Sequence, residues 1–257
     1  MLRTIFWLIL GCLDMSVAYA VPLYVQRFEA ADLSALEVSK AEQQIREHQD
    51  IKIRENMAIP PFHKRLDRPA AEETFCQTCH LPWPHSKKPR TRSFLNMHSR
   101  YLACETCHFR PKSVVFDYRW LDYETQQPAP EKHRFRTWLK IDNAVPVDGR
   151  IKIAPFIAEM PAIALRGSEF AQRINRAWKE ADEFAKARLK AKLHQSLEKE
   201  GPACHQCHQE GKKSMLDLAA LGAEPQQVLA IQRHILPQFF RRYQSDEERL
   251  KMIDILR

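Results

Sequence analysis

Three segments of this 257-residue chain carry the same five-residue pattern, C-x-x-C-H: Cys76-Gln77-Thr78-Cys79-His80, Cys104-Glu105-Thr106-Cys107-His108 and Cys204-His205-Gln206-Cys207-His208. Two thiols at this spacing add across the two vinyl groups of one haem, and the imidazole that follows is then held beneath the iron as an axial ligand. The expected cofactor is therefore three covalently bound haem c groups, tethered by Cys76 and Cys79, Cys104 and Cys107, and Cys204 and Cys207, with His80, His108 and His208 as metal ligands. One copy of so short a pattern is weak evidence, but three copies are not accidental. The rival chemistry is a structural zinc module of Cys76, Cys79, Cys104 and Cys107. That reading leaves the trailing histidines and the third motif without a purpose.

What such sites do depends on the second axial position. An iron with two protein ligands can only pass electrons, whereas an open face can bind and transform a small molecule. Of the 11 histidines, eight lie outside the motif ligand positions: His48, His63, His85, His98, His133, His194, His205 and His234. His98, six residues before Cys104, is the best distal candidate, and Met97 beside it reads as packing material. The rigid turn Ile59-Pro60-Pro61-Phe62 presents His63 ahead of the first motif. His194 and His234 compete for the third. His48 and His133 sit among charges and read as surface residues, and His205, next to a tethering cysteine, is poorly placed to cross the ring. Sixth ligands are thus easily found, which favours electron transfer. The alternative is an oxidoreductase acting on a small nitrogen or sulfur compound at one five-coordinate haem; no side chain is assigned a catalytic role.

The elements around these motifs read as mainly α with a small β-hairpin or sheet, organised by the haems. Residues from Phe28 to about Asn56 follow a loose helical period, ending at Pro60-Pro61. The run Lys87-Lys88-Pro89-Arg90-Thr91-Arg92 reads as a solvated loop, a partner-docking segment or a contact for haem propionates. Val114, Phe116, Tyr118 and Trp120 alternate as in a strand, and Trp138 to Ile153 suggests a hairpin turning at Asp148-Gly149. The stretch from Pro155 to Gly167 reads as a separator. Ser168 to Glu200 is the clearest helix, capped by Ser168 and stopped by Gly201-Pro202. Pro225 starts another, and Ser245 with Glu248 forms a capping box for a last one. The expected division is a signal peptide at 1–20, a dihaem domain with the β element at 21–160, and a helical monohaem domain at 161–257.

Composition sets the compartment. Six of the seven cysteines lie in the motifs, so no pair is left for a disulfide. The seventh, Cys12, sits in MLRTIFWLILGCLDMSVAYA, where a short apolar run and Ala18-Tyr19-Ala20 form an export leader. A run of that length is too short for a membrane span. Cleavage after Ala20 places the chain in the periplasm or another extracytoplasmic space; the alternative is a lipoprotein anchored through Cys12. The formal charge of +8 suits an acidic redox partner or an anionic membrane surface, and export excludes nucleic acid.

The first half, in the order His63, CQTCH, His98, CETCH, resembles the dihaem small subunit of periplasmic nitrate reductase. The segment SFLNMHSRYLACETCH is also similar to the tetrahaem quinol dehydrogenases that feed periplasmic reductases. This resemblance implies that His63 and His98 are distal ligands, and that the partners are redox proteins such as a membrane-associated quinol dehydrogenase or a reductase. The part from His194 through CHQCH to LDLAALG resembles the terminal haem segment of octahaem tetrathionate reductase-like cytochromes, which implies His194 rather than His234 as the third distal ligand. The chain departs from the quinol dehydrogenases in lacking their membrane anchor, and no counterpart of the tetrathionate enzymes' catalytic lysine ligand can be placed.

Overall fold

The computed structural model describes residues 21–47, 74–80, 84–85, 89–129, 150–211 and 213–242. His48, His63, His133, the leader with Cys12, Asp148-Gly149 and the Ser245–Glu248 capping box lie outside the described residues. The architecture is mainly α with a small four-stranded antiparallel sheet. No helix among the described residues is long and apolar enough to cross a membrane.

The alternation through Tyr118 and Trp120 becomes strand β1, Asp117–Asp122, which pairs with the short β2, Gln127–Pro128, and with β3, Ile151–Ile157. β3 turns back into β4, Met160–Pro161, so the sheet order is β2-β1-β3-β4. The stretch expected to separate two units therefore holds the end of the most buried strand. Pro155 is tolerated there because it lies opposite Tyr118 with its carbonyl turned toward β4, accepting the Ala162 N–H at 2.9 Å, so its missing donor costs β1 nothing. Side-chain alternation then sends Trp120 and Ile153 to one face of the sheet and Leu121 and Ala154 to the other.

Each expected long helix is broken by a local cap. The N-terminal one is two: α1, Leu23–Glu29, and α2, Ala35–Arg46, which restarts at a capping box between Ser34 and Glu37. After α3, Pro89–His98, and the second-motif helix α4, Cys104–His108, the helix expected from Ser168 to Glu200 becomes α5, Glu169–Glu180, and α6, Glu183–His194. Ser168 caps α5 through the Ala171 N–H, as expected. The break comes where Asp182 accepts the Ala185 N–H at 2.7 Å and Ala181 turns extended. The third motif forms α7, Cys204–Cys207, followed by α8, Pro225–Gln232, with Pro225 in its first turn, and α9, Ile235–Arg242.

Three cores hold these pieces, the third formed by Ala103, Leu121, Tyr123, Ala154, Phe156 and Ile163. In the first, Tyr24 and Phe28 of α1, Phe75 of the first motif, Phe109 behind the second, Phe170 and Ile174 of α5 and Leu193 of α6 pack together. Their rings meet edge to face, Tyr24 on Phe109 at 5.5 Å and Phe28 on Phe170 at 5.0 Å. In the second, Leu102, Trp120, Ile151 and Ile153 meet Leu216, Leu218 and Leu221. The Trp120 indole N–H donates to the Leu221 carbonyl at 2.8 Å and ties the segment after the third motif to the sheet. All three cores draw residues from either side of position 160.

Candidate functional site

Each motif is positioned by a different support. The first is a 3₁₀ turn, Phe75–Thr78, anchored by Phe75 in the first core. The second is pinned to the sheet: the Ala103 N–H and the Thr106 hydroxyl both donate to the Ile153 carbonyl, at 2.9 and 2.8 Å. The third is fastened by the Met215 N–H to the Gln206 carbonyl at 2.7 Å and by the Ser214 hydroxyl to the Cys207 carbonyl at 2.9 Å.

These supports bring every motif histidine opposite a second imidazole. His80 faces His194 with ring centroids 6.0 Å apart and planes at 71°. His108 faces His85 at 6.4 Å and 22°. His208 faces His98 at 6.0 Å and 88°. Two imidazoles that bind one metal from opposite sides, each through a nitrogen at about 2.0–2.1 Å, set their centroids about 6.3 Å apart. Plain aromatic packing also reaches this distance; the hydrogen bonds of the rings show which nitrogen is free to ligate.

Those bonds fix the tautomers. The Nδ1 atoms of His98, His108, His194 and His208 lie 2.7 to 2.9 Å from the backbone carbonyls of Phe94, Glu198, Lys190 and Ile231. A carbonyl only accepts, so each Nδ1 carries the proton and Nε2 keeps the lone pair, the arrangement found in metal-binding imidazoles. Removal from water lowers His98 and His208 below the usual imidazole range, which keeps them neutral and able to ligate. His234 has the opposite pattern: its Nδ1 accepts the Leu236 N–H at 3.3 Å, and its ring is exposed. His205 is exposed as well.

The pairing differs from what position along the chain suggested. His194 stands against the first motif and His98 against the third. His85, which the sequence reading did not select, stands against the second. The only sequence signal for His85 was its place in the proline-flanked Pro82-Trp83-Pro84-His85, directly after the first motif. Distances along the chain carry no information on which ring meets which, because α3 and α6 reach their motifs through tertiary packing.

The cysteines link neighbouring sites. Cys76 hydrogen-bonds to Cys104, a contact that raises the Cys76 thiol and lowers that of Cys104, and it donates to Glu105 Oε1 at 3.2 Å. Cys107 and Cys207 both border the second core, and burial pushes each thiol up to about 12. The second site thus lies between the first and the third. Solvent reaches the three unequally: Cys79, His80 and His194 of the first are exposed, as is Cys204 of the third, whereas Cys104, Cys107, His85 and His108 of the second are half-buried.

Among the described residues, no three His, Cys, Asp or Glu groups gather closely enough to share one ion. A metal between any of these imidazole pairs would have two nitrogen ligands from the chain and would need its remaining donors from a bound group. The paired thiols beside each ring are the attachments a haem uses. Arg110 Nε, buried with no hydrogen-bond partner, adds a charged donor that an anionic cofactor edge would satisfy. No family model, no curated protein and no solved structure matches the chain.

Proposed function

We propose that the chain is a trihaem c-type cytochrome of the periplasm or another extracytoplasmic compartment. It carries electrons between a membrane-associated quinol dehydrogenase or soluble donor and a terminal reductase. The observation that carries this reading is the set of three imidazole pairs, one to each C-x-x-C-H motif, at 6.0, 6.4 and 6.0 Å. Bound haem supplies a one-electron couple at each site. Two axial ligands on each iron leave no face for a substrate, which favours a carrier over an enzyme. The chain's own residues supply the tethers, hold the ligand tautomers and set the order. The Cys76–Cys104 hydrogen bond and the position of Cys107 and Cys207 against one core support the second site as the relay between two more exposed ends.

The test is the intact mass of the exported chain. Three haem additions, with no motif thiol left to react, are expected. An unmodified mass with six free motif thiols in a folded protein contradicts the reading.

A further inference from the structure

The second pair differs from the other two in how its distal ligand is held. His98 and His194 each bond the carbonyl four residues earlier in their own helix. His85 lies outside any helix, and its ring is gripped by a side chain, the buried amide of Asn96 on α3. Asn96 Oδ1 accepts the His85 backbone N–H at 3.2 Å and faces His85 Nδ1 at 3.0 Å, while Asn96 Nδ2 donates to the His85 carbonyl at 3.4 Å. The backbone N–H can only donate, so the amide atom facing it is the oxygen. The ring Nδ1 that meets the same oxygen must then carry its proton, and Nε2 is left as the ligating nitrogen. Three contacts from one buried side chain fix both the position and the plane of the ring. Helix α3 therefore serves two sites, the third through His98 and the second through Asn96.

We infer that Asn96 is a positioning residue that locks His85 nearly parallel to His108 and so gives the middle haem an electronic structure distinct from its two neighbours. This inference rests on the haem reading above. The physical link is the orientation of the ligand planes, part of the axial-ligand control of a haem iron. Two parallel imidazoles push mainly on one of the two iron dπ orbitals that share the unpaired electron of the low-spin ferric state, splitting them. Perpendicular imidazoles push on both equally and leave them nearly degenerate. The 22° pair should therefore give a rhombic electron paramagnetic resonance spectrum, and the 71° and 88° pairs strongly anisotropic spectra with one large g value.

The experiment is low-temperature resonance on the purified ferric holoprotein and two variants. In the native protein, one third of the integrated low-spin intensity should be rhombic and two thirds of the large-g type. Asn96→Leu removes the three Asn96 contacts to His85 and should convert the rhombic third to the large-g type while leaving the other two thirds unchanged. Asn96→Asp keeps an oxygen facing the ring and should retain the rhombic third. Its carboxylate makes the ligand more electron-rich, so in a redox titration that centre alone should move to lower potential. A native spectrum of three low-spin haems with no rhombic component overturns the inference and leaves the haem reading intact. So does a rhombic third that survives in Asn96→Leu, or a potential shift in Asn96→Asp shared by all three centres. A preparation without haem overturns both.

Discussion

The His80–His194 and His85–His108 pairs begin a few residues apart in the chain and end in opposite surroundings. The first pair lies at the surface: Cys79 and both rings are exposed, and His194 comes from the end of α6, more than a hundred positions away. The second is held on every side. Ala103 and Thr106 bind its motif helix to β3, and His108 exchanges hydrogen bonds with Glu198, donating through Nδ1 at 2.8 Å and accepting at its carbonyl at 2.7 Å. The contrast separates two jobs that one motif can do. An exposed site offers a short path to a partner, whereas an enclosed one is structural as well as electronic, because the fold on both sides leans on it.

Removing the tethers should break this contrast most visibly. On the proposed haem reading, Cys104→Ala with Cys107→Ala takes the haem from the centre, and the expected result is loss of folded protein, read as the yield of soluble chain and its circular dichroism. Cys76→Ala with Cys79→Ala should leave a folded chain with two haems by mass. Equal damage from the two double variants would erase the distinction.

Next in size is truncation of the ligands. His194→Ala opens one iron at the surface, so one third of the ferrous haem should shift with carbon monoxide, rapidly. In His85→Ala the same fraction should respond more slowly, because the enclosed site admits the gas only as the protein fluctuates. Stopped-flow absorption separates the two cases, and equal rates would count against the enclosure of the second site.

The smallest effect concerns the seam between the two sites. Glu105 is 2% exposed, its Oε2 has no hydrogen-bond partner, and burial holds its carboxyl above the usual range. The folded state therefore keeps this proton to higher pH than the unfolded chain does, and the stability it contributes is lost as pH rises through the folded value. Glu105→Gln should raise neutral-pH stability by ~1 kcal/mol, a rise in Tm of about 2–4 °C, and flatten the fall of Tm with rising pH. A lower Tm at neutral pH would mean that the charged carboxylate is stabilised by neighbours such as Lys152.

What could be read from the chain was local. The Ser168 cap, the Pro225 start and the Tyr118–Trp120 alternation all depend on residues within a few positions of one another, and all appear where expected. Longer-range features did not follow from such signals. The stretch from Pro155 to Gly167 reads as a separator because no nearby residue signals that Pro155 faces the side of β3 where only its carbonyl is used. Ser168 to Glu200 reads as one helix because Phe170, Ile174, Trp178, Ala185 and Leu189 keep a helical period across Ala181-Asp182, a signal that outweighs the capping potential of Asp182. Val38 and Ala41 of α2 are buried while Leu36 is 78% exposed, since α2 packs along α6. The imidazole pairs were least legible of all. Each is made by two elements meeting in space, and only for His85 does one side chain, Asn96, visibly set the geometry.

The most direct measurement of the central claim, that two imidazoles bracket each of three irons, is the visible spectrum of the dithionite-reduced native protein before and after carbon monoxide. The expected result is a low-spin c-type spectrum of three haems per chain that carbon monoxide leaves unchanged. A colourless protein, or a shift in one haem equivalent or more, would contradict it.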